Sequence, residues 1–469
     1  MDYLQNPLII ALGFLTVMFC LLALHQRYRP EFWLILLMVL IFALPRAGVI
    51  VPGINLPLPL AHLIAAVLIL EWLLLRRHRF PEQNRMGFYF LLYSAAAGLG
   101  LLMGLAAGGV YHIMFLELCF YLFALGLFFY AGETFLQRHH FYLFGKLLLI
   151  ISLAVSGYGI AQRYLGAQIL IDRLTYNAAH DLARTYVQVS GEQARRVLSS
   201  YGDPNVLASQ LLVFTGMALA LLLARGVSAP MRLLCITVVA LNVICIIFTR
   251  SRAGMLCLPL VALIICTYKT RWSLLILPVL FLAGLIFLPQ WLQPALAARF
   301  ESGFAGEDLR SQFPQMAWLL LQVVPAGCGW GKTVLLEIHG MSWAFEIKPA
   351  TVVWLGFNSF WLTLFCRLGL PGLITFILLL GAIFKYVASR ARLITDPFVK
   401  AILIGGLAGF VGQWLIWLVN NTYMLPGGNL NFWFTAGMLV AGCRAFAPQP
   451  AAVLLTEQQL LPLGRLAPT

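Results

Sequence analysis

Runs of about twenty apolar residues recur along the chain, and they restrict its fold more than any other feature. A helix needs about 20 such residues to span the hydrocarbon core of a bilayer. Hydrophobic residues make up 61% of the chain and charged residues only 10%, against about 25% charged in an ordinary soluble domain. So few charges cannot cover the surface of a soluble protein of 469 residues. The sequence therefore predicts an all-α, polytopic integral membrane protein.

Thirteen runs have the length and polarity of transmembrane helices, which predicts about 12–13 spans. They cover residues 7–25, 32–48, 57–75, 87–107, 112–131, 141–162, 204–224, 232–249, 253–268, 272–289, 358–384, 400–419 and 430–446. The first run lacks the preceding basic residues of a cleaved signal peptide, so we interpret it as a retained span. We find no soluble domain and no internal repeat. Residues 1–446 are therefore predicted to form one transmembrane domain, followed by a cytoplasmic tail at 447–469.

Basic residues are unevenly distributed between the two sets of connections that alternate along such a chain. Sixteen Lys and Arg residues lie in one set of short connections, whereas the other set holds only Arg46, Arg250 and Arg252. Because Lys and Arg accumulate in cytoplasmic loops, the first set is predicted to be cytoplasmic and the N-terminus to be outside. This distribution also accounts for the net charge of +14, so we expect no nucleic-acid partner.

Two long loops, 163–203 and 290–357, then fall on the predicted periplasmic side. Long loops are usually functional. Both loops carry basic and aromatic residues, a mixture that is compatible either with a solvated face or with amphipathic helices on the membrane surface. The other reading is an anion site that faces the outer leaflet.

The nine cysteines give no sign of a metal site or a disulfide framework. Most of them lie inside the apolar runs, and no C-x-x-C pair occurs. Cysteines in such surroundings usually behave as small apolar residues. The predicted outer loops also lack an aspartate-rich metal motif, so we expect neither metal nor nucleotide as a cofactor.

Two arginine motifs fall on the side where arginine should be scarce. Arg250 and Arg252 stand between two apolar runs, and Arg196 precedes an Asp203-Pro204-Asn205 turn that is suited to capping the next helix. Arginines at a span end can extend toward lipid head groups. The alternative is phosphate recognition, for which the planar, permanently charged guanidinium is well suited.

Two further motifs follow in the second half of the chain. The segment 325–332 contains three closely spaced glycines, which allow tight turns and close backbone approach, but it lacks the spacing of a phosphate-binding P-loop. The segment 356–362, followed by 367–373, begins a span with aromatic residues. Taken alone, that pattern is typical of an aromatic belt at the membrane surface.

The four motifs, in this order and on the predicted periplasmic side, resemble those of the O-antigen ligase and O-antigen polymerase superfamily over about residues 190–375. The family's Arg before an Asn/Asp-Pro-Asn turn is similar to Arg196, and its Ser-Arg-Gly element is similar to Ser251-Arg252-Ala253. Its Pro-x-Gly-x-Gly element resembles Pro325 to Gly329. Its His-Asn-Ser-x-x-Leu element, with a later Gly-Leu-x-Gly turn, resembles Phe357 to Leu362 and Gly369 to Gly372.

The resemblance implies a glycosyltransferase of the bacterial cytoplasmic (inner) membrane whose active site faces the periplasm. Its donor would be an undecaprenyl-diphosphate-linked glycan. Arg196 and Arg252 would bind the diphosphate, with Arg250 and Arg310 as further candidates, while Asn358 would hold the acceptor. No metal or nucleotide is implied.

The chain departs from the family at the proposed base. The family's His corresponds to Phe357, which cannot accept a proton, and Arg367 stands where the family has an acidic residue. Other candidate bases are Asp203, Glu337, Glu346 and, as the leading choice, His339. The ordinary pKa of imidazole lies near neutrality, which suits a base at physiological pH. An ordinary loop histidine is the competing interpretation.

Three functions remain open at this stage. The missing His favours a polymerase of exopolysaccharide or O-antigen repeat units over a ligase that transfers the glycan to lipid A-core or to protein. A transporter of lipid-linked glycan or of anions is the third possibility. Transporters usually show internal repeats and broken helices near the bilayer midplane, and the sequence predicts neither.

Overall fold

The computed structural model has the all-α polytopic fold that the sequence predicts. It describes residues 30–51, 56–75, 84–106, 111–165, 186–189, 192–269, 318, 322, 325–327, 329–330, 359–423 and 428–448.

The helices of this part of the chain are α1 (Pro30–Met38, continued by a π-helical turn at Val39–Ala43), α2 (Leu60–Leu75), α3 (Asn84–Ala106), α4 (Tyr111–Thr134), α5 (Arg138–Leu165), α6 (Pro204–Leu223), α7 (Ala229–Thr249), α8 (Arg252–Lys269), α9 (Phe360–Ala391), α10 (Pro397–Val419) and α11 (Gly428–Phe446). Two antiparallel hairpins pair β1 (Gly48–Val51) with β2 (Leu56–Pro59), and β3 (Tyr186–Val189) with β4 (Glu192–Arg195).

Hydropathy locates most of these helix ends to within a few residues, although α9 extends seven residues beyond the predicted end at 384. Among the described residues, six helices are long and apolar enough to cross a membrane, and three shorter apolar helices accompany them. The run predicted at 32–48 is wrong at its C-terminal end, because helical structure stops at Ala43 and β1 begins at Gly48. The runs predicted at 7–25 and 272–289 lie outside the described residues. The protein is a multi-pass membrane protein.

Contacts between helix termini agree with the predicted spans, in which successive connections lie alternately at the two ends of the bundle. At the end with the basic connections, the Tyr142 hydroxyl at the start of α5 donates to the Asp396 carboxylate just before α10. At the opposite end, the Tyr201 hydroxyl before α6 donates to the Phe42 carbonyl at 2.7 Å. We call these the basic-loop end and the far end. The far end is the predicted periplasmic one.

Helices α6 and α10 pack backbone against backbone through glycines. A Cβ atom added at Gly405 would lie 2.3 Å from the Gly216 carbonyl oxygen, and one added at Gly216 would lie 2.4 Å from the Gly405 carbonyl oxygen. One turn further along α10, a Cβ at Gly409 would lie 2.5 Å from the Cα of Val213. Small residues at such spacing let helices approach closely in a bilayer, where apolar side chains gain little from leaving lipid.

A buried polar cluster joins α5, α6 and α7. Asn242, on α7, is fully buried. Its Nδ2 donates to the Thr215 hydroxyl of α6 at 3.2 Å, and its amide lies within 3.0 Å of the Ser152 hydroxyl of α5. Hydrogen bonds between polar side chains hold helices together inside a membrane. The helix that follows Arg196 and the helix that precedes Arg250 are thus fixed to each other, and to α5, below the far end.

The positive-inside assignment makes a direct topology prediction. Reporter fusions at Gly191 and Gly340 should be active in the periplasm, and a fusion at Arg390 should be active in the cytoplasm. A paired alkaline phosphatase and green fluorescent protein reporter measures both sides. A cytoplasmic signal at Gly191 would overturn the orientation, because the first long loop could then not face the periplasm.

Candidate functional site

The end of the first long loop is fastened to the helix bundle just before α6. Gln162, near the C-terminal end of α5, accepts hydrogen bonds through its side-chain oxygen from two consecutive backbone N–H groups, of which that of Ser199 is the nearer at 2.8 Å. The Val197 N–H donates to the Phe248 carbonyl at 3.1 Å, near the end of α7. The described part of this loop is a hairpin followed by an irregular segment. The amphipathic helices with which the sequence is compatible are therefore not found in that part.

Asp203 caps α6, as the Asp-Pro-Asn sequence predicts. Its Oδ1 accepts hydrogen bonds from the N–H groups of Asn205 at 2.8 Å and Val206 at 3.2 Å, and Pro204 occupies the first helical turn. This arrangement satisfies two of the N–H groups that a helix start leaves unpaired. Because the carboxylate is engaged by the helix, Asp203 is a poor candidate for the catalytic base.

Arg196 reaches the turn between α7 and α8. Its Nε donates to the Thr249 carbonyl at 2.9 Å, and its Nη2 lies 3.5 Å from the Asn205 side-chain oxygen. Thr249 is the last residue of α7, three positions before Arg252. The two arginine motifs, which are separated by about fifty residues in sequence, therefore meet at the far end. This is the juxtaposition that a shared anion site requires.

The turn between α7 and α8 is short and well bonded. Arg250 adopts a left-handed conformation, with φ of 53°, and its N–H donates to the Ile247 carbonyl at 3.0 Å. The Ser251 hydroxyl accepts from the Gly254 N–H at 3.3 Å and so caps α8. Arg252, the first residue of α8, is half-buried. The start of α8 and the start of α6 both lie at this end, and helix N-termini carry partial positive charge.

Arg250 is the most unusual of these side chains electrostatically. Its Nη1 is buried and has no hydrogen-bond partner among the described residues. Burial, and secondarily the positive charge of Arg163, lower the pKa of the Arg250 guanidinium. Arg163 and Gln162 were not predicted as site residues. The only signal for Arg163 was a basic residue just after a predicted span, on the predicted outer side.

The glycine-rich segment 325–330 enters the helix bundle. The Trp330 N–H donates to the Gly100 carbonyl at 3.1 Å, and its indole Nε1 donates to the Ala97 carbonyl at 2.7 Å. Ala97 lies nine residues before the end of α3, a depth of about 13 Å at the rise of an α-helix. A Cβ at Gly329 would lie 2.4 Å from the Gly100 oxygen. Close backbone approach is confirmed, and this part of the second long loop packs against α3.

Helix α9 is broken where this segment meets it. Gly369 has φ of 63° and ψ of −164°, outside the helical region, and the Gly329 N–H donates to the Arg367 carbonyl at 2.8 Å. Arg367 is 2% exposed, and its guanidinium carbon lies 5.7 Å from the centre of the Trp330 ring. Arg367, at the family's acidic position, therefore packs the inserted segment through a cation–π contact. The expectation that broken helices are absent is wrong.

The aromatic residues at the start of α9 face into the protein. Phe360 is fully buried, and its ring centre lies 4.3 Å from that of Tyr423 and 5.2 Å from that of Trp417. Ser359 caps the helix by accepting from the Leu362 N–H at 3.4 Å. An aromatic belt is therefore the wrong interpretation for Phe360, which belongs to the core of the bundle.

The remaining predicted site residues are outside the described part of the chain. They are His339, Asn358, Arg310, Glu337, Glu346 and Phe357. Their roles stay predictions. Within the described residues, no group of three or more His, Cys, Asp or Glu side chains is arranged to hold a metal ion.

No protein-family model matches this chain, and no curated protein matches it. The resemblance to the O-antigen ligase and polymerase superfamily therefore rests on the four sequence motifs. Membership of that family stays a prediction.

Proposed function

We propose that the protein is a membrane glycosyltransferase that polymerises undecaprenyl-diphosphate-linked repeat units of an exopolysaccharide or O-antigen at the periplasmic face. The observation that carries the proposal is the meeting of Arg196 with the Arg250–Arg252 turn at the far end. An arginine group beside two helix N-termini forms a region of positive potential suited to an anionic group. A lipid-linked donor would present its diphosphate at this depth, near the membrane surface.

The reaction needs little beyond the donor's own chemistry. The acceptor hydroxyl attacks the anomeric carbon, the bond from that carbon to the diphosphate oxygen breaks, and the hydroxyl proton passes to a base. Negative charge accumulates on the departing diphosphate. Fixed guanidinium groups that await this charge lower the barrier without reorganising at the moment of reaction. The donor supplies the activated leaving group, so the proposed step uses no nucleotide.

Arg196 and Arg252 contribute differently to stabilising the charge on the diphosphate. Arg196 uses its Nε to hold the Thr249 carbonyl, so its remaining nitrogens are the ones that can contact a donor. Arg252 makes no such contact among the hydrogen bonds described, and it stands at the positive end of α8. We therefore assign Arg252 a direct diphosphate contact and Arg196 a combined role, in which it joins the loop to the turn and adds charge.

A ligase that transfers the glycan to lipid A-core or to a protein is the alternative within the same chemistry. Polymerase and ligase differ in the acceptor, which would lie with Asn358 and the second long loop. Phenylalanine at position 357, where the resembled family has His, favours the polymerase. A product ladder of increasing repeat number supports the polymerase, and a single transfer to lipid A-core supports the ligase.

A transporter is the second alternative, and the break in α9 favours it. Broken helices near the midplane often expose carbonyl groups that coordinate a transported ion or solute. Here, however, the Arg367 carbonyl accepts from the Gly329 N–H, and the backbone of the inserted segment lies against Gly369. The break is therefore occupied by the protein's own chain. A transporter would move labelled lipid-linked glycan across vesicles without forming a new glycosidic bond.

Arg252 variants test the proposed function. In proteoliposomes supplied with an undecaprenyl-diphosphate-linked oligosaccharide, Arg252→Ala should lower kcat about 10²- to 10³-fold, as for loss of one group that stabilises transition-state charge. Arg252→Lys retains the positive charge but loses the planar fork of donors, so its kcat should lie between that of the wild type and that of Arg252→Ala. Arg225→Ala, exposed at the basic-loop end, is the matched control. Wild-type transfer by Arg252→Ala at equal protein abundance would rule out the diphosphate role.

A further inference from the structure

The C-terminal ends of α5 and α7 meet at the far end and bring two arginines together. The rings of Tyr164 and Phe248 lie with their centres 6.0 Å apart. One turn below, α5 approaches α7 so closely that a Cβ at Gly159 would lie 2.7 Å from the Sγ of Cys245. This contact sets the last turn of α5, which carries Arg163, beside Arg250 at the end of α7.

Arg250 is held in an arrangement that costs free energy. A non-glycine residue in the left-handed region is strained, and its buried Nη1 lacks a partner among the described residues. Burial and the charge of Arg163 lower the pKa of the Arg250 guanidinium, which means that its surroundings disfavour its own charge. An anion placed against the two guanidinium groups would reverse that penalty.

We propose that Arg163 and Arg250 together bind the diphosphate of the donor as a two-arginine clamp. This inference rests on the proposed function and adds Arg163, a residue that the sequence motifs do not include. Two guanidinium groups from different helices can each offer a fork of parallel N–H donors, one for each phosphate of a diphosphate. A phosphodiester in a phospholipid head group carries a single negative charge and would neutralise only one of them.

Thermal unfolding of the detergent-solubilised full chain tests the clamp without requiring transfer activity. An anion that binds the folded state raises the unfolding midpoint, and the dependence on its concentration gives an apparent Kd. We expect inorganic pyrophosphate to raise the midpoint, while sulfate at equal ionic strength and short-chain phosphatidylglycerol at equal phosphate have much smaller effects. A response to phosphatidylglycerol equal to that of pyrophosphate would show a head-group site and overturn the diphosphate assignment.

Three matched substitutions locate the effect. Arg163→Gln and Arg250→Gln should each weaken the apparent affinity for pyrophosphate about 10- to 100-fold, as expected for loss of one charge-assisted contact. Arg225→Gln, which removes an exposed charge at the basic-loop end, should leave the affinity unchanged. In the absence of pyrophosphate, Arg250→Gln should have an unfolding midpoint equal to or above that of the wild type, because the substitution removes a half-buried charge whose Nη1 has no hydrogen-bond partner among the described residues.

A purely structural role gives the opposite pattern. If Arg250→Gln lowers the midpoint without pyrophosphate, and both variants keep wild-type affinity for it, the clamp is wrong. An arginine-dependent pyrophosphate response in a protein that forms no glycosidic bond would keep the clamp and reject the proposed transferase. Glycosyl transfer with no pyrophosphate response would keep the transferase and reject the clamp.

Discussion

Gly405→Leu should prevent accumulation of the folded protein. A Cβ at this position would lie 2.3 Å from the Gly216 carbonyl oxygen of α6, and 2.6 Å from the Gly216 carbonyl carbon and the Met217 Cα. These are backbone atoms, so no side-chain rotation can relieve the collision, and α6 and α10 would have to separate. Overpacking costs typically about 1–3 kcal/mol even where side chains can adjust, and we expect a cost above that range here.

The measurement is the monodisperse fraction of a fluorescent fusion in size-exclusion chromatography. Gly381→Leu is the matched control, because Gly381 also lies inside a long helix, is exposed and has no atom within 4 Å of an added Cβ. It should express and elute like the wild type. An equal monodisperse yield for Gly405→Leu would show that α6 and α10 do not pack through this glycine contact.

Gly405 illustrates which features of the fold can be predicted from the sequence and which cannot. The span that carries it is evident from hydropathy alone: the prediction of 400–419 compares with α10 at Pro397–Val419. Hydropathy reports only how each segment interacts with lipid. The partner of Gly405 is nearly two hundred residues away in sequence, and no local pattern names it. The β1–β2 hairpin and the insertion of segment 325–330 were missed for the same reason.

The candidate site likewise contains residues that the sequence predicts and residues that only the structure reveals. Arg196 and Arg252 can be predicted because each breaks a local rule, as a basic residue on the side where such residues are scarce. Arg250 was noticed on the same ground, but the burial of its Nη1 without a hydrogen-bond partner among the described residues is a property of the packed turn. Gln162 and Arg163 sit at the end of an otherwise ordinary span. Their importance depends on where α5 ends relative to α7, which only the three-dimensional arrangement reveals.

His339→Ala should reduce kcat of the proposed transfer about 10²- to 10⁴-fold, the usual contribution of a general base. His339 is the only histidine in the second long loop, and it precedes Asn358, the candidate acceptor residue, by nineteen positions. The pyrophosphate affinity should not change, because a base that acts on the acceptor hydroxyl makes no contact with the diphosphate. His139→Ala, which removes an exposed histidine at the basic-loop end, is the control.

The pH profile separates a base from a positioning residue. A histidine base must be neutral to accept the proton, so kcat/KM should fall about tenfold per pH unit below the ordinary imidazole pKa of about 6.5. In His339→Ala that acid limb should disappear and the residual rate should be flat over the same range. A change in kcat below about threefold, or an acid limb that persists in the variant, would exclude His339 as the base. Transfer would then depend on the departure of the diphosphate from its arginines and on the positioning of the acceptor by Asn358, a route that Phe357 in place of the family's His would also favour.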